Sequence, residues 1–395
     1  MDRRTNPYAP GAGTPPPELV GRDALIEDAE IALDRLRGGL AAKSLLMVGL
    51  PGVGKTVLLN RILLDAEARG FASVLIEAPE DRSLPAALAG PLNSTLLQLS
   101  RSAAARDLAR KARRSLAGFV RAMKVSYEDI TFSVDLDAEE GVADSGDLDT
   151  DLTALFQIAG EAARARKTVL ILFIDEMQYV PERQLRALIT ALHRVAQRQL
   201  PVALIGSGLP QLVGHIGVAK SYAERMFSFP RIGPLPHDAA KQALEAPASR
   251  LGVTYSPAAL KEILRMTEGY PYFLQEWGSA CWTVADGPTV TRSVVEAASP
   301  LAIGELDSTF FRVRFERTTP FERRYLRAMA DLGPGPHRSG EIAGVLDRLV
   351  QTVAPTRSNL IRKGMIYSPA HGDTAFTVPL FDQYLKRTMP DVLIR

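Results

Sequence analysis

The sequence predicts an α/β protein: a parallel sheet with helices on both faces, then a helical segment and a C-terminal helix–hairpin module. Three observations carry this. Short apolar runs alternate with helical patterns up to about residue 232, the grammar of βαβ units. A glycine-rich loop, VGLPGVGKT at 48–56, lies between one such run and a helix, the context that gives the motif its meaning. After Pro234 the β-type runs stop, and two short ones return only near the C-terminus.

The elements follow in order. The first 17 residues hold five prolines and are expected to form an extended tail. A helical pattern runs from Glu18 to Gly38-Gly39, with Leu25, Ile26, Ala29, Ala32, Leu33 and Leu36 as its apolar positions. KSLLMVG reads as a strand buried on both faces, and Lys55 to about Arg69 as a helix stopped by Gly70. FASVLIEAP is the next strand. TVLILFIDE, PERQLRALITALHRVAQRQ and PVALIGSG give strand, helix, strand, and a helix through 210–225 leads to a short strand at MFSF. Helices are expected at 237–250, 256–267 and 271–285, and a distinct segment begins near 305.

Residues 101–151 interrupt the alternation. RSAAARDLARKARRSLAGFVRAMK holds eight Lys/Arg against one Asp, and DLDAEEGVADSGDLDTD holds eight acids among 17 residues. A solvated basic helix followed by a flexible acidic loop is one reading. An acidic segment that covers a basic surface is the other.

Composition narrows the class. Of 395 residues 46% are hydrophobic and 23% charged, ordinary values for a soluble globular chain. No run of 18 apolar residues occurs, so no membrane span is expected, and the N-terminus lacks the apolar stretch of a secretory signal. Cys281 is the single cysteine, which excludes an internal disulfide and fits a cytoplasmic setting. A net charge of +2 says little about partners.

Gly49, Leu50, Pro51, Gly52, Val53, Gly54, Lys55 and Thr56 fit G-x-x-x-x-G-K-[ST]. Such a loop turns backbone N–H groups inward around phosphate oxygens. Lys55 would reach the β- and γ-phosphates of ATP, and the Thr56 hydroxyl would ligate Mg²⁺. About 120 residues on, an apolar strand ends in Asp175-Glu176, which places a carboxylate where α/β ligands bind. Asp175 would hold Mg²⁺, and Glu176 would polarise the attacking water. Alone, such an acid pair is more often a helix cap; the upstream loop turns the reading toward a nucleotide site.

VGLPGVGKT, LFIDE and LIGSG, in that order, resemble the AAA+ superfamily, and within it the origin-recognition-like and archaeal-type ATPases that overlap with STAND signalling ATPases. The resemblance implies a sheet of order 5-1-4-3-2, a core at 18–235, a helical lid at 236–304 and a winged helix-turn-helix at 305–395. It implies that Val20, Gly21 and Arg22 pack on the adenine, and that Gly269-Tyr270-Pro271 is the lid motif, with Pro271 at the nucleotide. Ser207 falls where a sensor 1 residue sits; a plain turn residue is the alternative. Arg225 falls where an arginine finger would reach a neighbour's γ-phosphate, with a surface arginine as the alternative. The lid helix lacks the arginine that the origin-recognition pattern places there, which leaves slow turnover as plausible as fast cycling.

The last segment contains PFERRYLRAMADLG, SGEIAGVLDRLV with Ser339 as N-cap, VAPTRSNLIRKG with Pro355 in a first helical turn, and two β-type runs about His371. Three helices and a hairpin describe a winged helix-turn-helix. In DNA-binding versions the third helix enters the major groove, which makes Arg357, Asn359, Arg362 and Lys363 the candidates for double-stranded DNA. From Pro320 onward there are 11 Lys/Arg and 7 Asp/Glu, a modest excess, so a protein-contacting or autoinhibitory module stands as the rival. A homo-oligomer or a protein partner is compatible with either.

Overall fold

The structure, a computed structural model, describes residues 1–11, 13–78, 83–123, 141–370 and 372–390. His371 and the first acids of the 135–151 run lie outside the described residues. The chain divides into two compact units. One comprises Arg22–Gly49 and Lys55–Ile232. The other comprises Met1–Gly21, Leu50–Gly54 and Gly233–Arg395.

The first unit opens with α1 (Asp23–Arg37), which starts five residues later than the apolar pattern suggests. Then come β1 (Ser44–Gly49), α2 (Lys55–Ala68), β2 (Ala72–Glu77), α3 (Leu84–Leu99), α4 (Arg106–Ala122) and α5 (Leu148–Ala165). They are followed by β3 (Leu170–Asp175), α6 (Glu182–Gln197), β4 (Val202–Gly208), α7 (Leu212–Ala219), α8 (Ala223–Met226), β5 (Phe227–Ser228) and β6 (Arg231–Ile232). The strands are parallel in the order β2-β3-β4-β1-β5, with β6 also on β1. This is the expected order read from the other edge. Every residue of β3 and β4 is buried, whereas the edge strand β2 alternates buried with more open positions. Continuous apolar runs therefore mark the central strands, which are covered on both faces.

Residues 101–151 are not merely a solvated helix and loop. Helix α4 buries Ala109, Ala112, Leu116 and Phe119 in the same core as Leu96, Leu155 and Phe156. It leaves Arg106, Arg110, Lys111, Arg114 and Arg121 exposed. Asp151, one of the expected flexible acids, is 1% exposed. Its carboxylate accepts from the Ser145 N–H (3.0 Å), the Ser145 hydroxyl (2.7 Å) and the Gly146 N–H (2.8 Å). The bonds close the turn that leads into α5.

In the second unit, α9 (His237–Ser249), α10 (Pro257–Thr267) and α11 (Pro271–Val284) match the expected helices within a residue or so. A two-residue strand pair, β7 (Thr254–Tyr255) with β8 (Thr289–Val290), appears where no strand is expected. Helix α12 (Arg292–Glu305) runs into a π-helical stretch at Leu306–Phe311 and then α13 (Arg312–Glu316).

The C-terminal module has α14 (Pro320–Leu332), β9 (His337–Arg338), α15 (Ser339–Val345), α16 (Val350–Arg362), β10 (Ile366–Tyr367), β11 (Asp373–Phe376) and α17 (Phe381–Thr388). Strand β11 pairs antiparallel with both β10 and β9. Two local expectations are corrected. Arg338, not Ser339, is the N-cap of α15, because the Ser339 hydroxyl donates to the Gly372 carbonyl (3.0 Å). Pro355 lies inside α16, because that helix begins at Val350.

The N-terminal residues differ most from expectation. Instead of a tail apart from any core, they pack on α9 and α11. Tyr8 is 5% exposed. Its hydroxyl donates to the Leu244 carbonyl (2.6 Å) and shares a hydrogen bond with the Tyr255 hydroxyl (2.7 Å). Its ring lies flat against Gly278, where a Cβ would meet it at 2.6 Å. The Trp282 indole donates to the Asp2 carbonyl (2.8 Å).

Candidate functional site

In the first unit, the adjacent parallel strands β3 and β4 end side by side and bring Asp175 and Ser207 together. The Ser207 hydroxyl donates to Asp175 Oδ1, which also accepts from the Glu176 N–H at 2.9 Å. Asp175 Oδ2 accepts from Thr56 Oγ1 at 2.6 Å. Thr56 is the second residue of α2, so its hydroxyl and the β3 carboxylate converge on one point although 119 residues separate them. A hydroxyl and a carboxylate oxygen are hard donors of the kind Mg²⁺ takes. The residues present therefore fit the metal that the motifs imply. Among the described residues no cluster of three or more His, Cys, Asp or Glu forms a metal site of another kind.

Lys55, the first residue of α2, is 5% exposed. Glu176 takes a left-handed backbone (φ 52°), so the chain turns sharply at the end of β3. Its carboxylate accepts from the Gln178 side-chain amide, whose oxygen in turn accepts from the Leu209 N–H at 3.0 Å. Gln178 thus orients Glu176 and ties it to the end of β4. No sequence motif points to Gln178. It stands in a one-turn 3₁₀ helix (Met177–Tyr179) whose place depends on the tertiary fold.

Arg225 is exposed and lines a cavity of about 340 Å³ with Lys43, Ser44 and Val202, at the starts of β1 and β4. Ser207 stands five residues along β4, roughly 16 Å away at strand rise. Arg225 is therefore not brought to Asp175 within its own unit. Arg22 is half-buried, and burial pushes its guanidinium pKa down.

The remaining expected residues belong to the second unit. Gly52 (φ +83°) and Gly54 (φ +91°) hold the left-handed backbone that a phosphate loop requires. Val20 is 8% exposed, and Gly21 lies against Leu235 and Ala239. Gly269 packs on the same segment: a Cβ there would meet the Leu235 carbonyl oxygen at 2.6 Å, and its own carbonyl accepts from the Leu235 N–H at 2.8 Å. The segment around Leu235 thus joins Val20-Gly21 to Gly269-Tyr270-Pro271. Pro271 is the first residue of α11, a position that wastes no N–H.

The candidates for DNA contact are occupied within the C-terminal module. Arg357 donates to Thr374 Oγ1 (2.7 Å), Ser368 Oγ (2.9 Å) and the Asp373 carbonyl (2.7 Å). Lys363 pairs with Glu322 (2.7 Å) and donates to the Arg317 carbonyl (2.9 Å). Arg362 donates to Asn359 Oδ1 (2.9 Å) within α16.

Residues 18–205 match the AAA ATPase domain family, and residues 308–385 match a domain of unknown function. Over the first of these segments, somewhat less than half of its length, the chain resembles the AAA ATPase domain family. In fold it is similar to a Walker-type ATPase of Pyrococcus abyssi, with 17% identity and a TM-score of 0.57 over 93% of this chain and 96% of that one. Lower scores relate it to the Aeropyrum pernix Orc1 protein in complex with DNA (TM-score 0.46, 16% identity, 94% of each chain). The Thermotoga maritima RuvB Holliday junction branch migration motor stands similarly (0.44, 16%, 93% of this chain and 95% of that one). At those scores neither bears on what this chain does. No curated protein matches the sequence. No described helix is long and apolar enough to cross a membrane.

Proposed function

We propose that this protein is an ATP-binding and ATP-hydrolysing switch that couples its nucleotide state to the C-terminal module. The observation that carries the reading is the convergence of Thr56 and Ser207 on the two oxygens of Asp175. When bound, Mg²⁺ would supply positive charge that offsets the charge of the phosphates. Thr56 and Asp175 would hold it, and Lys55 would contact the β- and γ-phosphates. Glu176, steadied by Gln178, would orient the attacking water and accept its proton. Ser207 would report on that water from the end of β4. Val20, Gly21, Arg22 and Pro271 would hold the base, and Arg225 would serve the site of a neighbouring copy. Catalysis of this kind is positioning and charge stabilisation rather than covalent chemistry.

The C-terminal module reads as a winged helix-turn-helix: α14, α15 and α16 followed by the β10–β11 hairpin. Double-stranded DNA is the partner that the family resemblance suggests. A second reading, a protein-contacting or autoinhibitory module, is favoured by one observation: Arg357 and Lys363 spend their donors inside the module. ATP turnover with and without duplex DNA, together with direct DNA binding across a salt series, separates them. The DNA reading predicts stimulated turnover and an affinity that falls steeply as salt rises from about 50 to about 200 mM. No binding at about 50 mM salt would remove it and leave the protein-contacting reading.

A further inference from the structure

Within the second unit, the phosphate-loop residues Leu50–Gly54 cluster with the lid helices and the C-terminal module, and Tyr270 is at the centre of that cluster. It is 1% exposed. Its hydroxyl donates to the carbonyl of Pro51 in the loop, and the carbonyl of Thr377, directly after β11, lies 3.3 Å from the same oxygen. A phenol has one proton to give, so two backbone carbonyls from distant parts of the chain compete for a single donor. Burial pushes the Tyr270 pKa up, which keeps that proton in place.

The rings around it give the loop a rigid bed. A Cβ on Gly52 would meet Tyr270 Cε1 at 2.9 Å, with Phe310 Cζ and Tyr272 Cβ both at 3.6 Å. The loop backbone therefore lies directly on three aromatic side chains. Tyr272 stacks on Phe310 (4.9 Å between centroids), Phe310 meets Phe311 edge-on (5.4 Å), and Phe311 stacks on Phe381 of α17 (5.6 Å). Phe310 and Phe311 stand in the π-helical stretch, a helix form that recurs at functional positions. A hydrogen-bond path and a packed aromatic path thus run from the loop to the β11–α17 region.

We propose that Tyr270 is the latch through which the phosphate loop and the C-terminal module sense each other. Its proton goes to Pro51 in the present arrangement and passes to Thr377 when the loop turns to receive phosphates. Tyr270 is a positioning residue, not a catalytic one, and its role under nucleotide rests on the ATP-switch reading above.

Hydrogen exchange on the full chain tests it, with Tyr270→Phe keeping the ring and removing only the donor. In the absence of nucleotide, where the proton goes to Pro51, the variant is expected to speed exchange in residues 49–56 by about tenfold, the worth of one net hydrogen bond, and to leave 364–378 as in wild type. With Mg-ATP, wild type is expected to change exchange in both segments, and the variant only in the loop. No acceleration in 49–56 without nucleotide, or a variant that still passes the ATP response to 364–378, overturns the latch. Wild-type protein that ignores Mg-ATP in both segments would sink the ATP-switch reading, while the nucleotide-free comparison still decides whether Tyr270 holds the loop.

Discussion

Asp175 shows how a single carboxylate organises the site. One oxygen takes the Ser207 hydroxyl and the Glu176 N–H, and the other takes Thr56. Three elements are thereby held to one point. A different acid, Glu276 on α11, carries a cost. Burial pushes its pKa up to about 7; a hydrogen bond from Tyr272 opposes this, and the nearby Glu305 adds to it. A carboxyl with a higher pKa folded than unfolded binds more protons in the folded chain between about 4.5 and about 7. Stability therefore falls as pH rises through that window, by up to about 3 kcal/mol, and stays lower above it. Glu276→Gln is expected to flatten the decline and to raise the melting temperature at pH 8. An equally steep decline in the variant would contradict the assignment. Lys55, Thr56, Asp175 and Ser207 are legible in the sequence because each is fixed by a local motif at a strand end. Gln178 and Tyr270 are not, because their roles arise only where separate segments meet.

At the scale of elements, the N-terminal segment is the clearest case of packing overriding composition. Five prolines suggest an unattached tail, yet Tyr8 fills a site beside Gly278, and its hydroxyl finds two partners, the Leu244 carbonyl and the Tyr255 hydroxyl. The one available signal was a lone aromatic amid prolines, which needs a receiving cavity that no sequence displays. Tyr8→Ala is expected to destabilise the fold by about 3–5 kcal/mol, as for other large buried aromatics, read as a lowered denaturant midpoint. A loss below about 0.5 kcal/mol would mean the segment is not docked in solution. Helix α4 is legible as an amphipathic basic helix, but the solvated reading overlooks its apolar stripe, which lies in the core. Helix α17 was not singled out, because FDQYLKRT is too short for its period to stand out; its Phe381 and Tyr384 are nevertheless buried.

For the whole molecule, the parallel sheet could be anticipated because buried parallel strands leave uninterrupted apolar runs, whereas the strand order was implied only by the family resemblance. The division into units was harder to read. The boundary near 233 follows the end of the β-type runs, but the assignment of Leu50–Gly54 to the second unit depends on the rings around Gly52. The proposed switch requires that ATP be bound and then hydrolysed through Glu176. The most direct measurement is Mg-ATP affinity and single-turnover hydrolysis for wild type beside Glu176→Gln. Affinities alike within about threefold and a hydrolysis rate lower by about 10²–10⁴-fold in the variant are expected. Equal hydrolysis rates, or a wild type that holds ATP and never cleaves it, would contradict the proposed switch.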